Sequence, residues 1–205
     1  MGSGQRTDKD RFLAVLKINI LVFIAELLVG FYSGSLAMLS DSFHVFIHVV
    51  ASIIALISEL KFSFLPQEKI KKLSAGINIG LFFILAFWIG HEAIKRLATP
   101  QQLNINFIFF AVAFAGLAAN IYTVRILHSH SDEEFSENRD ILYWEMFYDS
   151  IGSVVVIICA VAIYFTGFNI IDPILSIFLA LMMLIKAVQM SLRFKDIHNH
   201  DLHYY

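Results

Sequence analysis

Four side chains of types that bind metal ions occur in two pairs, and the members of each pair are four residues apart. His44 and His48 form one pair, and Glu145 and Asp149 form the other. Because four residues is close to one helical turn, each pair shares one face of a helix. Two imidazoles and two carboxylates complete the four-coordinate shell that zinc accepts, and a divalent cation cancels the two negative charges. Without metal, the same group would hold protons in an apolar bundle.

A structural interpretation of the same residues also remains open at this level. The two histidines would then form hydrogen bonds between helices, as polar side chains do inside membranes. The two acids would then lie at the wet end of their helix, since Glu145 is little more than a turn beyond Asp140.

The elements that must position these residues are apolar enough for a membrane. The 205 residues are 58% hydrophobic and 16% charged, with a mean hydropathy of +0.71. An ordinary soluble domain is about 45–50% apolar and about 25% charged. The formal net charge of −2 gives no basic field for nucleic acid. The single cysteine, Cys159, excludes an intramolecular disulfide and a Cys-built zinc cluster.

Six apolar stretches have the length that a helix needs to cross the hydrocarbon core, about 20 residues. The predicted fold class is therefore all-α, a multi-pass integral membrane protein with six transmembrane helices in the lipid bilayer. Short polar breaks make consecutive helices antiparallel neighbours. The predicted spans are 12–32, 36–58, 73–95, 104–127, 141–165 and 170–192.

Basic residues predict the orientation of the chain. Six spans place both termini on one side, and all of the 15 Lys and Arg residues except Lys95 and Arg96 fall toward that side. The positive-inside rule then puts both termini in the cytosol. The predicted organisation is a cytosolic tail over 1–11, a transmembrane domain over 12–192 and a short His-containing cytosolic tail over 193–205.

Further polar residues have weaker assignments. Glu26 and Asn120 are expected either to line a water-filled path to the site or to form hydrogen bonds between helices. Asp41 is expected to support the metal ligands or to contact the start of a helix. Histidines outside the spans are candidates for an accessory, metal-collecting role, with a merely solvated loop or tail as the alternative. These are His128, His130, His198, His200 and His203.

The segment from Glu26 to His48, ELLVGFYSGSLAMLSDSFHVFIH, resembles the signature of the cation diffusion facilitator family of metal/proton antiporters. Segment 66–100 resembles the third helix of that family and ends in EAIKRLATP. Segment 145–192 resembles its fifth and sixth helices. The resemblance covers essentially the whole membrane region.

The sequence departs from the family at two of the four ligand positions. Zinc-transporting members carry His then Asp on the second helix and His then Asp on the fifth. His44 and Asp149 match this pattern, whereas His48 replaces an Asp and Glu145 replaces a His. The two nitrogens favour Zn²⁺, or Co²⁺, Ni²⁺, Fe²⁺ or Cd²⁺, over Mg²⁺ and Mn²⁺, which prefer oxygen ligands.

The end of the chain also differs from the family. Full-length members carry a cytosolic C-terminal domain that binds metal and dimerises. Here only residues 193–205 follow the last predicted span, too few for a domain. The resemblance is therefore to the membrane domain, and the short tail is expected to be either a remnant of the cytosolic domain or the cut end of a longer protein.

The resemblance implies a function in transport rather than in catalysis. The expected protein is a homodimer in a plasma or inner membrane, which exports Zn²⁺ by proton antiport with alternating access. The alternatives are a metal-dependent membrane enzyme and a non-transporting subunit that only binds metal. No separate nucleophile accompanies the ligands, which disfavours an enzyme. A haem bundle is disfavoured because His44 and His48 share one helix face and cannot be opposite axial ligands.

Overall fold

The computed structural model describes residues 4–59, 66–128 and 136–202, with side chains at 13–54, 56–57, 66, 69–70, 72–123 and 150–194. The described residues form six α-helices and no β-strand, which confirms the all-α prediction. The helices are α1 (Gly4–Ser33), α2 (Leu36–Glu59), α3 (Gln67–Ala98), α4 (Phe107–His128), α5 (Ser136–Thr166) and α6 (Ile171–Leu202).

The apolar parts of these helices are suited to lipid. Four segments are long and apolar enough to cross a membrane: Leu13–Ser33, Leu36–Ile54, Lys72–Ala98 and Ile171–Phe194. Shorter apolar segments, Phe107–Thr123 and Ser150–Thr166, belong to α4 and α5. Large apolar side chains such as Leu21, Phe87 and Phe165 are exposed on the outer faces, where lipid would cover them. The protein is an integral membrane protein; the crossing of all six helices and the cytosolic termini stay predictions.

Several helices extend beyond the predicted apolar spans. α3 begins at Gln67 and α5 at Ser136, and α6 continues through most of the predicted tail to Leu202. Polar residues other than Gly and Pro leave the backbone hydrogen bonds of a helix intact, so these helices continue beyond the apolar sequence.

Two of the helices end at a glycine. Gly34 directly follows α1 and Gly167 directly follows α5, and they take positive φ angles of 75° and 71°. Glycine adopts this backbone conformation without steric cost, and both helices stop there.

The six helices are arranged as a ring and a pair. Each of α1, α2, α5 and α4 packs against the next, and α4 closes the ring on α1. α3 and α6 form the most extensive helix contact and lie together against α2. Small residues bring that pair close, since a Cβ added at Gly90 would lie 3.9 Å from the Cβ of Ala180. α2 contacts four other helices and is therefore the central helix of the fold.

A buried carboxylate of α6 holds the first turn of α2. Asp172 accepts hydrogen bonds from the Ser35 hydroxyl (2.7 Å) and from the N–H groups of Leu36 (2.8 Å) and Ala37 (3.2 Å). A carboxylate satisfies the free N–H groups of a helix N-terminus and interacts favourably with its dipole. Because a short turn joins α5 to α6, this contact also places the end of α5 beside the start of α2. The two helices are thus antiparallel.

Arg96 of α3 closes the same end of the bundle. Its Nη1 donates a hydrogen bond of 2.6 Å to the carbonyl of Gly34, and its Nε pairs with Glu92 at 3.1 Å. The backbone N–H of Asn104 donates to the carbonyl of Ser33 at 2.9 Å. The turn between α1 and α2 is therefore tied to α3, to the chain before α4 and to α6.

We expect Asp172→Ala to lower the free energy of unfolding by about 2–4 kcal/mol, because buried donors lose a charged acceptor. Asp172→Asn keeps an acceptor oxygen and should lose less. Thermal unfolding in detergent measures the loss, and hydrogen exchange should locate it at residues 36–38. Equal stability of Asp172→Ala and the unaltered protein would contradict this role.

Candidate metal centre

The two histidines of α2 present their nitrogens to one another. His44 and His48 are half-buried, and their Nε2 atoms are 3.2 Å apart. Two ligands of one tetrahedral zinc, each bonded at about 2.0–2.1 Å, are about 3.3–3.4 Å apart. The pair thus has nearly the spacing of two ligands of one ion. It also has the spacing of a hydrogen bond between neutral rings, one donating and the other accepting.

An aromatic side chain of α3 bounds the histidine pair on one side. The ring of Phe82, which is 2% exposed, meets His44 edge-on at a centroid distance of 5.5 Å. The ammonium group of Lys186 on α6 lies 5.4 Å from the centre of the same ring, within range of a cation–π interaction. Phe82 therefore links the histidines of α2 to both helices of the α3–α6 pair.

Asp41 sets the contact between α2 and α5. Its side chain is 4% exposed, and a Cβ added at Gly152 would lie 2.7 Å from its Oδ1. The backbone of α5 can approach Asp41 this closely only because residue 152 has no side chain. The first turn of α2 is held by Asp172 of α6, and the expected supporting role of Asp41 stays a prediction.

The other two polar residues predicted around the site lie between helices of the ring. Asn120 of α4 donates a hydrogen bond of 3.0 Å to the hydroxyl of Ser153 on α5, which is a contact between helices. Glu26 of α1 is buried against the backbone of α4 at Gly116, where any side chain would collide with its carboxylate.

The remaining predicted ligands fall where side chains are not described. Glu145 and Asp149 lie on α5, and their side chains are outside the described residues, as are those of His128, His198 and His200. His130 and His203 lie outside the described residues altogether. Among the side chains that are described, no three His, Cys, Asp or Glu come together as a metal-binding group.

Three residues near the site were not predicted from the sequence. Asp172 lies near the start of the last predicted span, and its contact with α2 joins residues far apart in the chain. Phe82 is one of 20 phenylalanines, and nothing local distinguishes it. Lys186 was counted only as a basic residue, although a lysine within an apolar span is itself a signal of a functional or paired group.

Comparison with known proteins identifies a family. Residues 12–193 match the cation efflux transmembrane domain. The zinc transporter ZitB of Escherichia coli is 34% identical over 185 residues, which cover 86% of this chain and 58% of that protein. The metal cation efflux system protein CzcD of Cupriavidus metallidurans is 32% identical over 197 residues, covering 90% and 61%.

A third relative carries a more detailed name. The cadmium, cobalt and zinc/H(+)-K(+) antiporter of Bacillus velezensis is 30% identical over 168 residues, covering 78% of this chain and 53% of that protein. The chain therefore spans between 53% and 61% of the length of these three curated relatives.

The contact between Asp41 and α5 can be tested with a pair of glycine substitutions. Gly152→Ala should lower the free energy of unfolding by about 1–3 kcal/mol, as overpacking of a filled site does. Gly80→Ala is the matched control, because a Cβ there meets nothing within 4 Å. The control should be neutral or raise stability by up to about 1 kcal/mol through helix propensity. Thermal unfolding of both variants in one detergent checks the difference, and equal shifts would contradict the contact.

Proposed function

The chain belongs to the cation efflux transmembrane domain family, and from that membership we propose that it moves Zn²⁺ out of the cytosol in exchange for protons. The family resemblance of the SGSLAMLSD segment is confirmed by the match over residues 12–193. The three relatives are named as a transporter, an efflux protein and an antiporter, and the family is one of transporters rather than enzymes.

The transport site in this proposal consists of His44, His48, Glu145 and Asp149. The observation that carries it is the 3.2 Å separation of the two Nε2 atoms, which suits two ligands of one ion. These nitrogens belong to the most central helix of the fold, as expected for polar groups that transport a cation through lipid.

The register of α2 and α5 supports the other two ligands. The helices are antiparallel, and Asp41 lies opposite Gly152. His44 lies three residues after Asp41 on α2, and Asp149 lies three residues before Gly152 on α5. In the same way, His48 lies seven residues after Asp41, and Glu145 lies seven residues before Gly152. Because all helices rise 1.5 Å per residue, each histidine shares a level with one of the acids.

Proton exchange follows from the chemistry of these ligands. Metal binds neutral imidazole and ionised carboxylate, so loading the site releases protons and protonation weakens it. Alternating access then requires only that the site face one side when loaded and the other when protonated. We assign the movement to the boundary between the helix ring and the α3–α6 pair, where Phe82 contacts His44.

The nitrogen ligands also predict which metal ions the transport site binds in preference to others. Zn²⁺, Cd²⁺, Co²⁺, Ni²⁺ and Fe²⁺ are favoured over Mg²⁺ and Mn²⁺. The name of the Bacillus relative gives cadmium, cobalt and zinc. The family further leads us to propose a homodimer in a plasma or inner membrane, with metal ions and lipid as the other partners.

The site assignment is tested in proteoliposomes that carry a pH gradient. His48→Ala combined with Asp149→Ala should abolish zinc flux, because two of four ligands are removed. His91→Ala, which changes an exposed histidine of α3, should leave the flux unchanged. Unimpaired zinc flux in the double variant would eliminate the assigned site. Zinc binding without flux in the unaltered protein would favour a metal-binding subunit over a transporter.

The sequence departs from the family pattern at His48, which replaces an Asp, and at Glu145, which replaces a His. We expect these two replacements to compensate each other in zinc affinity. His48→Asp leaves one nitrogen and three carboxylates, and we expect it to lower zinc affinity by about tenfold, or about 1.4 kcal/mol. Adding Glu145→His restores the donor set of two nitrogens and two carboxylates and should recover the affinity. Calorimetric titration with Zn²⁺ and Mn²⁺ measures both variants. Additive losses in the double variant would show that residues 48 and 145 do not share an ion.

A further inference from the structure

The helix ring contains a buried acid that is not one of the four proposed ligands. Because Phe23 contacts Phe46 and Gly30 packs on Leu39, Glu26 lies near the level of His44 on α2. Glu26 of α1 is 1% exposed, and its Oε2 is buried with no hydrogen-bond partner among the described residues. Its Oε1 lies so close to the backbone of α4 that only a glycine, Gly116, can occupy the facing position. The helix ring therefore has space for the Glu26 carboxyl group beside Gly116, but the described residues around it provide few hydrogen-bond donors.

The charges around Glu26 are unfavourable to its ionised form. On α2, Asp41 and His44 both lie within about a turn of the level of Glu26. A carboxylate at Asp41 makes a second negative charge at Glu26 costly. From α4, the described residues 107–123 contribute no Lys, Arg, His, Asp or Glu. On α1 itself, Lys17 lies more than two turns away and is exposed. An ionised carboxylate that is buried without a cation is disfavoured relative to its neutral form.

Asp41 connects this acid to the proposed metal site. It lies against Gly152 of α5, one turn along α2 from His44. A divalent cation at His44 would offset the negative charge of Asp41 and so reduce its repulsion of Glu26. Departure of the cation would restore that repulsion and favour a proton on Glu26.

We propose that Glu26 is a proton-binding site of the transport cycle, distinct from the metal ligands and coupled to them through Asp41. Loading of metal breaks the O–H bond of the Glu26 carboxyl and releases one proton to water. After the metal leaves on the other side, the Glu26 carboxylate accepts one proton from water there. This proposal rests on the proposed proton antiport, to which it adds a proton carrier outside the metal shell.

The test counts protons. Zinc binding to the purified chain is measured by calorimetry in buffers of different ionisation enthalpy, which gives the protons released per zinc. Glu26→Gln, which is neutral and nearly isosteric, should release about one proton fewer per zinc while still binding zinc. Glu26→Asp keeps a carboxyl group and should restore the release. Glu92→Gln, at an acid paired with Arg96, is the matched control and should leave the count unchanged.

Flux measurements separate this proposal from the one on which it rests. In proteoliposomes, Glu26→Gln should retain zinc movement down a zinc gradient and be accelerated less by a pH gradient than the unaltered protein, because one of the exchanged protons is lost. An unchanged proton count and unchanged pH acceleration in Glu26→Gln would overturn the role of Glu26 while leaving zinc transport intact. Absence of zinc flux in the unaltered protein would instead overturn the proposed function.

A spectroscopic measurement on chains that keep Glu26 removes dependence on the folding of a Glu26 variant. Infrared difference spectra should show a protonated carboxyl band that disappears when zinc binds, shifts with ¹³C-labelled glutamate and persists in Glu145→Gln, which removes the glutamate among the proposed ligands. Absence of any labelled carboxyl band before zinc is added would contradict the proposal.

Discussion

The contact between Asp41 and the bare backbone at Gly152 is the constraint on which the arrangement of the site depends. Ionisable groups do not face lipid, so the helix that carries Asp41, His44 and His48 must be surrounded by protein. α2 contacts α1, α3, α5 and α6, and half of its apolar segment is buried. A larger residue at 152 would push α5 away and leave the charged face of α2 without a partner helix.

The two ends of α2 contribute differently to the site. At its start, Asp172 fixes the first turn through three hydrogen bonds, and Arg96 ties the preceding turn to α3. The histidines lie further along, where the Phe82 ring touches His44. The helix is thus anchored at one end, and its length through Ile47 shares an apolar core with the α3–α6 pair. Because Asp172 and Arg96 belong to α6 and α3, the pair is itself tied to the start of α2, and movement of the pair against α2 would be larger at the level of the histidines.

The helices are well predicted from the sequence because every segment that crosses the lipid needs a similar length and a mostly apolar composition. The apolar run of α6 ends near residue 192, but the helix continues to Leu202 because hydropathy reports the membrane and not the backbone hydrogen bonds. Pairing of helices is harder to predict, since side chains facing lipid and side chains facing protein are equally apolar. Asp172 and Phe82 act across long distances in the chain, and no local pattern marks their partners. The close approach of Glu26 to Gly116 likewise needs the packing of α1 on α4.

The central claim is that one metal ion binds between α2 and α5 with both histidines as ligands. Anomalous diffraction at the zinc absorption edge, from crystals of the zinc-loaded chain, tests it most directly. We expect a peak about 2.0–2.1 Å from the Nε2 atoms of His44 and His48, at the level of residues 145 and 149. Zinc found only at the histidines outside the apolar spans, with the two imidazoles of α2 still bonded to each other, would contradict the account.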